Sequence, residues 1–337
     1  NHLSLHNYSI SQAMNGAEAL EIIENGLKPD LIILDIMMPK MSGYEVCKKI
    51  RETYPTFELP VVLLTAKNQI SDLVEGFDSG ANDYLTKPIS KNELLTRIKT
   101  HIELSKINIS YAKFVPREFL RHLGHDSIIH LKLGEQVQMD MTIMFSDIRS
   151  FTTLSEKLTP KENFTFLNEY LKRVSPAIRK NNGFIDKYIG DGIMALFSAN
   201  PENAVIASIE MMKELEVFNR QRIESSHEPI RIGIGLHTGT LMLGTIGEEE
   251  RMESTVISDA VNLSSRMEGL TKLYGASIVI SEQTFKYLKK PENYKYRFLG
   301  KVKVKGKNTS VSVFEIFDGE LPEIIELKAK TAKDFEN

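Results

Sequence analysis

Three polar residues each follow a short strand-like run: Asp35 after LIIL, Thr65 after VVLL, and Lys87 after DYLT. A carboxylate, a hydroxyl and an ammonium can together take up a phosphoryl group, the carboxylate as nucleophile and the other two gathering the charge on its oxygens. Farther on, Asp147 follows MTIMFS, and Asp191 lies between two glycines in GFIDKYIGDGIMALF. Two carboxylates without nearby Cys or His suit Mg²⁺ when phosphates and water supply the remaining ligands. Lys187 puts a cation on a strand face expected to carry Ile185 and Ile189, so something polar must meet it there. Asn262 and Arg266, four apart in DAVNLSSR, share a helix face and can point at one ligand.

These residues need elements to hold them. A strand over Tyr8–Ala13, a helix over Ala17–Asn25, and apolar strands over Leu31–Leu34, Val61–Leu64 and Asp83–Thr86 alternate with further helical stretches. Such alternation predicts a doubly wound parallel α/β sheet, with Asp35, Thr65 and Lys87 meeting at its C-terminal edge. Gly190-Asp191-Gly192 predicts a tight hairpin turn between β-prone flanks. Around it stand a strand over Met141–Phe145 and helices over Pro160–Asn181 and Asn203–Asn219. Strands over Ile232–Leu236 and Leu241–Ile246 are expected to join through His237-Thr238-Gly239, and Asp259 to cap the helix that carries Asn262. Lys305 stands next to Gly306, where backbone can approach an anion closely.

Between the two halves, a helix from Ser90 carries Leu94, Leu95, Ile98, Ile102, Ile107 and Ile109, and ends before Pro116. The stripe either packs on its own fold or extends into a two-chain coiled coil. His122, His125 and His130 are close in sequence, but no nearby carboxylate or Cys completes a ligand set.

The chain has 337 residues, 42% of them hydrophobic, enough for two cores of ordinary size. A net charge of −3 gives no reason to expect nucleic acid as a partner. The single cysteine, Cys47, is expected on a buried helix face, which points to a reducing, cytoplasmic setting. No apolar run has the length of a membrane span, and no charged-then-apolar leader opens the sequence.

LIILDIMMPKMSGYEV, LLTA and DYLTKP resemble the receiver domain of bacterial response regulators. That resemblance implies Asp35 as phosphoacceptor, Thr65 and Lys87 as ligands of the phosphoryl group, Tyr84 as the aromatic switch, and a histidine kinase as upstream phosphodonor. Receivers usually open with a strand ending in paired acidic residues that hold Mg²⁺, and nothing before Tyr8 supplies either, so the domain reads as missing its first strand.

FSDIRSFT, DKYIGDGIMALF and DAVNLSSR resemble the class III nucleotidyl cyclase catalytic domain, an α+β fold with a ferredoxin-like core. The implied organisation is a receiver over 1–102, a helical connector over 103–138, a cyclase domain over 139–318, and a charged tail over 319–337. The resemblance further implies a homodimer that converts ATP to 3′,5′-cyclic AMP and pyrophosphate. Asp147, Asp191 and the Ile148 carbonyl would hold two Mg²⁺ ions, for which Mn²⁺ can substitute. Asn262 would orient the ribose, Arg266 would meet charge on the α-phosphate, and Lys305 would hold the terminal phosphates. Lys187 and Thr255 would read the base, with each site taking Asp147 and Asp191 from one chain and Lys187, Thr255, Asn262 and Arg266 from the other. A lysine only donates, and adenine N1 accepts where guanine N1 carries a hydrogen, so Lys187 argues for ATP. Thr255 resembles the bacterial subgroup in which bicarbonate stimulates activity. A guanylate cyclase and a catalytically silent dimerisation module are the rival readings.

Overall fold

A computed structural model of the chain describes residues 3, 7–66, 74, 76–303 and 310–331. The chain divides into two compact units, Asn1–Phe114 and Val115–Asn337.

The first unit contains α1 (Gly16–Glu24), β1 (Ile32–Asp35), α2 (Gly43–Thr53), β2 (Val61–Thr65), β3 (Asp83–Thr86) and α3 (Lys91–Tyr111). Its strands form a parallel sheet in the order β1-β2-β3. The unbroken apolar run of β2 follows from burial on both faces. Val61 and Leu63 join Leu34, Val46 and Ile50 in one core, while Val62 joins Leu85, Leu94 and Ile98 in another. Cys47 is fully buried in the first of these, and burial pushes its thiol pKa up. Ser42 and Glu45 start α2 with a reciprocal capping box.

The expected strand over Tyr8–Ala13 does not form. Those residues have no regular structure and lie exposed, because alternation makes a strand only where a neighbour takes up its hydrogen bonds. Residues 2 and 4–6 lie outside the described residues. On α3 the stripe is buried at Leu94 and Ile98, whereas Leu104, Ile107 and Ile109 are exposed.

The second unit begins with α4 (Arg117–His122) and β4 (Gln136–Ile148), followed by α5 (Phe151–Ser155) and α6 (Pro160–Lys180). Next come β5 (Gly183–Ile189), β6 (Gly192–Phe197), α7 (Glu202–Glu224), β7 (Ile232–Glu248), β8 (Arg251–Ile257) and α8 (Asp259–Tyr274). β9 (Ile278–Ser281), α9 (Glu282–Lys286), β10 (Tyr296–Lys303), β11 (Ser310–Ile316) and α10 (Pro322–Thr331) complete it. The sheet order is β10-β11-β9-β7-β4-β6-β5, with β8 pairing β7; β7 and β9 are parallel, and the other pairs antiparallel. Alternation along β4 serves two cores. Met144 and Ile148 pack with Tyr170, Val174 and Met211 of α6 and α7, whereas Met141 and Ile143 pack with Phe119 and Leu120 of α4 and Val256 of β8.

β7 is one strand, where two joined at His237-Thr238-Gly239 were expected. Its ladder with β4 runs unbroken from Gln136↔Gly244 to Ile148↔Ile232. Gly239 permits close packing here and makes no turn, since an added Cβ would come 3.0 Å from that of Ala260 on α8. Ser258, not Asp259, caps α8: its hydroxyl accepts from the Ala260 N–H at 2.9 Å. The described part of the tail, through Thr331, is also part of the fold. Lys328 of α10 donates to Glu315 at 2.5 Å and Glu320 at 2.7 Å, and Arg297 donates to the same fully buried Glu315 at 2.5 Å.

Candidate functional site

In the first unit Asp35 ends β1, Thr65 ends β2, and Lys87 follows β3. Parallel pairing carries all three to one edge: Thr65 is in register with Thr86, and its carbonyl accepts from the Lys87 N–H at 2.8 Å. The Lys87 ammonium pairs with Asp35 Oδ2. Asp35 Oδ1 accepts from the Met37 N–H at 3.1 Å. Tyr84 lines a small cavity with Thr65, Leu63 and Phe77, its ring edge-on to Phe77 at 6.1 Å. A carboxylate with a cation already against it is suited to take a phosphoryl group whose oxygens need that cation.

In the second unit, Asp147 is the penultimate residue of β4, and Asp191 belongs to the turn between β5 and β6. The expected hairpin forms, with Gly190 at φ +62°, a conformation that favours glycine. Its tip lies against the end of β4. An added Cβ on Gly192 would sit 3.2 Å from the Ser146 carbonyl oxygen and 3.4 Å from Asp147 Oδ1. The Ile148 N–H donates to Asp191 Oδ2 at 3.2 Å. Burial, and then the neighbouring Asp147 carboxyl, push the Asp191 pKa up to about 6. Glu268 of α8 is also raised, by burial and by Asp147, against the pull of Arg149, whose Nη1 is 3.8 Å from its carboxylate. Arg149 is otherwise engaged by the Thr271 hydroxyl and the Ala276 carbonyl. Beneath the acids, the Ser146 hydroxyl and Tyr170 phenol are buried with no hydrogen-bond partner among the described residues.

No lysine or arginine pairs with Asp147 or Asp191 among the described residues. Two crowded acids of hard oxygen donors, with an N–H fixing one of them, fit a divalent cation. No group of three His, Cys, Asp or Glu able to hold a metal occurs among the described residues, so the other ligands must come from backbone, water or a bound phosphate. His125 has a carboxylate after all, with Glu135 Oε2 2.5 Å from its Nε2.

Lys187 does not share a face with Ile185 as expected. A bulge between Ile185 and Lys187 interrupts the alternation; Ile185 packs on the core of α6 and α7, while Lys187 reaches Glu253 at 3.3 Å and the Ser254 carbonyl at 3.4 Å on β8. Thr255, half-buried, is the next residue of that strand. Asn262 is exposed and Arg266 half-buried on α8. That helix is pinned to the sheet by Ser264, which donates to the Ile143 carbonyl at 2.7 Å. Gly235 lets it come close, since a Cβ there would lie 2.0 Å from the Glu268 nitrogen. Lys305 lies outside the described residues.

Sequence reasoning missed Asp186, Glu253 and Glu268. A signal for the first was its place beside Lys187, as a second charge in a strand; Glu253 and Glu268 carry no comparable signal.

Residues 134–316 match the family described as the adenylate and guanylate cyclase catalytic domain, and residues 1–99 match the response regulator receiver domain. An adenylate cyclase of Anabaena cylindrica is 42% identical over 234 residues, covering 67% of this chain and 47% of that protein. The response regulator MprA of Mycobacterium sp. (strain KMS) is 45% identical over 97 residues, 29% of this chain and 41% of that protein. The chain thus spans less than half the length of these curated relatives. The solved structure of a bacterial light-regulated adenylyl cyclase shares the fold, with a TM-score of 0.59 at 23% identity over 74% of each chain. No helix among the described residues is long and apolar enough to cross a membrane.

Proposed function

From the premise that this chain belongs to the adenylate and guanylate cyclase catalytic-domain family and carries a receiver domain before it, we propose that it converts ATP to 3′,5′-cyclic AMP and pyrophosphate. In this reading the receiver takes a phosphoryl group at Asp35 from a histidine kinase and regulates the reaction. The observation that carries it is the meeting of Asp147 and Asp191 at two strand ends, uncompensated by any ion pair among the described residues. Two Mg²⁺ ions, or Mn²⁺, held there would supply Lewis-acid activation of the ribose 3′-hydroxyl and charge neutralisation on the triphosphate.

The chain's own residues do the rest. Asp147 and Asp191 hold their oxygens in one place, Asp191 steadied by the Ile148 N–H, and the Ile148 carbonyl is a further donor in this reading. Asn262 orients the ribose, and Arg266 meets the charge that grows on the α-phosphoryl oxygens as the 3′-oxygen bonds to phosphorus and pyrophosphate departs. Lys305 holds the terminal phosphates. Lys187 donates to adenine N1 and Thr255 accepts from the 6-amino group. The two halves of each site come from two chains of a homodimer.

The test is product formation from ATP and from GTP by the purified chain, with Mg²⁺ and with Mn²⁺. Cyclic AMP should form in preference to cyclic GMP by up to about 10⁴-fold, because a mismatched base leaves buried polar groups unpaired. Comparable rates would identify a guanylate or unselective cyclase and sink the base assignment. No product from either would favour the silent dimerisation module. Bicarbonate added to the same assay tests the activation suggested by Thr255.

A further inference from the structure

β5 carries one residue more than its partner strand can match, and that residue is an acid. Ile185 pairs with Ala195 and Lys187 with Met194, which leaves Asp186 as the extra member of a bulge, a feature that re-aims side chains. The Asp186 side chain has no solvent exposure, and neither carboxylate oxygen has a hydrogen-bond partner among the described residues. A buried carboxylate without donors is among the costlier arrangements a protein interior can hold.

Among the described residues the cation that pairs with it is Lys187, whose Nζ lies 3.6 Å from Asp186 Oδ2, close enough to pair and too far for a hydrogen bond. The same ammonium is 3.3 Å from Glu253 Oε1 and 3.4 Å from the Ser254 carbonyl. The two acids differ in freedom. Asp186 is sealed in, whereas the Glu253 side chain is 64% exposed and can turn into water at little cost.

We propose that Asp186 is a positioning residue for nucleobase recognition: it is the fixed counter-charge behind the Lys187 ammonium, and Glu253 is the exchangeable partner that the base displaces. The inference rests on Lys187 as the base-reading cation and deepens that reading. An ammonium has three N–H bonds. With one directed at Asp186 and one at Ser254, the third is free to pass from Glu253 to a ring nitrogen, and the cation is never left without a counter-charge.

The test uses the whole chain and equilibrium binding of fluorescent ATP and GTP analogues with Mg²⁺, run beside cyclic nucleotide formation. Asp186→Asn should weaken the ATP analogue about 10-fold and the GTP analogue little, and its Tm should equal or exceed that of the parent, because a buried charge has been removed. Glu253→Gln, a surface change, should tighten the ATP analogue. On a Lys187→Met background Asp186→Asn should add no further loss, because its effect passes through that ammonium. An unchanged ATP-to-GTP binding ratio in Asp186→Asn overturns the proposal, as does an undiminished extra loss on the Lys187→Met background. Should Asp186→Asn fail to fold, Glu253→Gln decides alone, and no tightening overturns it. A parent chain that binds ATP selectively but forms no cyclic nucleotide would overturn the catalytic reading and leave this inference standing.

Discussion

The Ile148 N–H donates to the Asp191 carboxylate at 3.2 Å, so the strand end that carries one acid of the site also fixes the other. Neither acid could be moved without disturbing the junction between β4 and the β5–β6 turn. The arrangement stores repulsion until a cation arrives, and pH and metal should therefore act on stability together.

The Asp191 pKa is raised to about 6 from an ordinary value near 4, so the metal-free folded chain binds more protons than the unfolded chain across that interval. Stability contributed by this group falls as pH rises from about 4 to about 6, and the deficit persists above. Thermal denaturation in EDTA should show Asp191→Asn melting above the parent at pH 7.5 and level with it at pH 4.5. Each 1 kcal/mol recovered raises Tm by about 2–4 °C in a unit of this size. Mg²⁺ should raise the parent's Tm more at pH 7.5 than at pH 5, because it competes with the proton, and should not raise that of Asp191→Asn. An equal metal response in parent and variant would show that the ion does not bind there.

A shared site makes a prediction about mixtures. Lys187→Ala and Asp191→Ala should each be nearly inactive alone, since every site of either homodimer lacks one group. Their heterodimer has one site lacking both and one lacking neither. Activity should return on mixing, up to about a quarter of wild type when chains assort at random and each intact site works independently. Verified heterodimers as inactive as their parents would place both residues in one site of one chain.

The ion cluster that fixes α10 predicts a cost for shortening the chain. Lys328→Ala would leave Glu315 buried with one cation fewer and Glu320 without its donor. Breaking a buried pair from one side costs about 3–5 kcal/mol, and chemical denaturation should show a loss of that order. Lys328→Met combined with Glu315→Gln should recover part of it. A surface-sized change, below about 0.5 kcal/mol, would mean that the cluster is solvated in solution.

Much of this was legible in the sequence because the signals were local. Asp35 and Thr65 end apolar strands and Lys87 follows a third strand, and parallel pairing then leaves little freedom in where they meet. Asp191 between two glycines marked a turn, and a turn fixes its neighbours. Features that depend on distant partners were not legible. Gly239 looked like a break because glycine marks turns, but its lack of a side chain serves α8 instead. The Lys187 face was misjudged because a one-residue bulge inverts the alternation and leaves no mark in composition. The segment after Asp318 read only as a charged tail, since nothing local says that Lys328 will meet Glu315 inside the fold.

β5 ends the described order of its sheet, and the outer edge of such a strand carries backbone groups that its sheet leaves unpaired. Natural proteins protect such edges with bulges and inward-pointing charge, and Asp186 and Lys187 supply both within two residues. Replacing the pair with apolar residues, however well they filled the interior, would remove a safeguard against self-assembly, and the damage would appear first as lost solubility at high concentration.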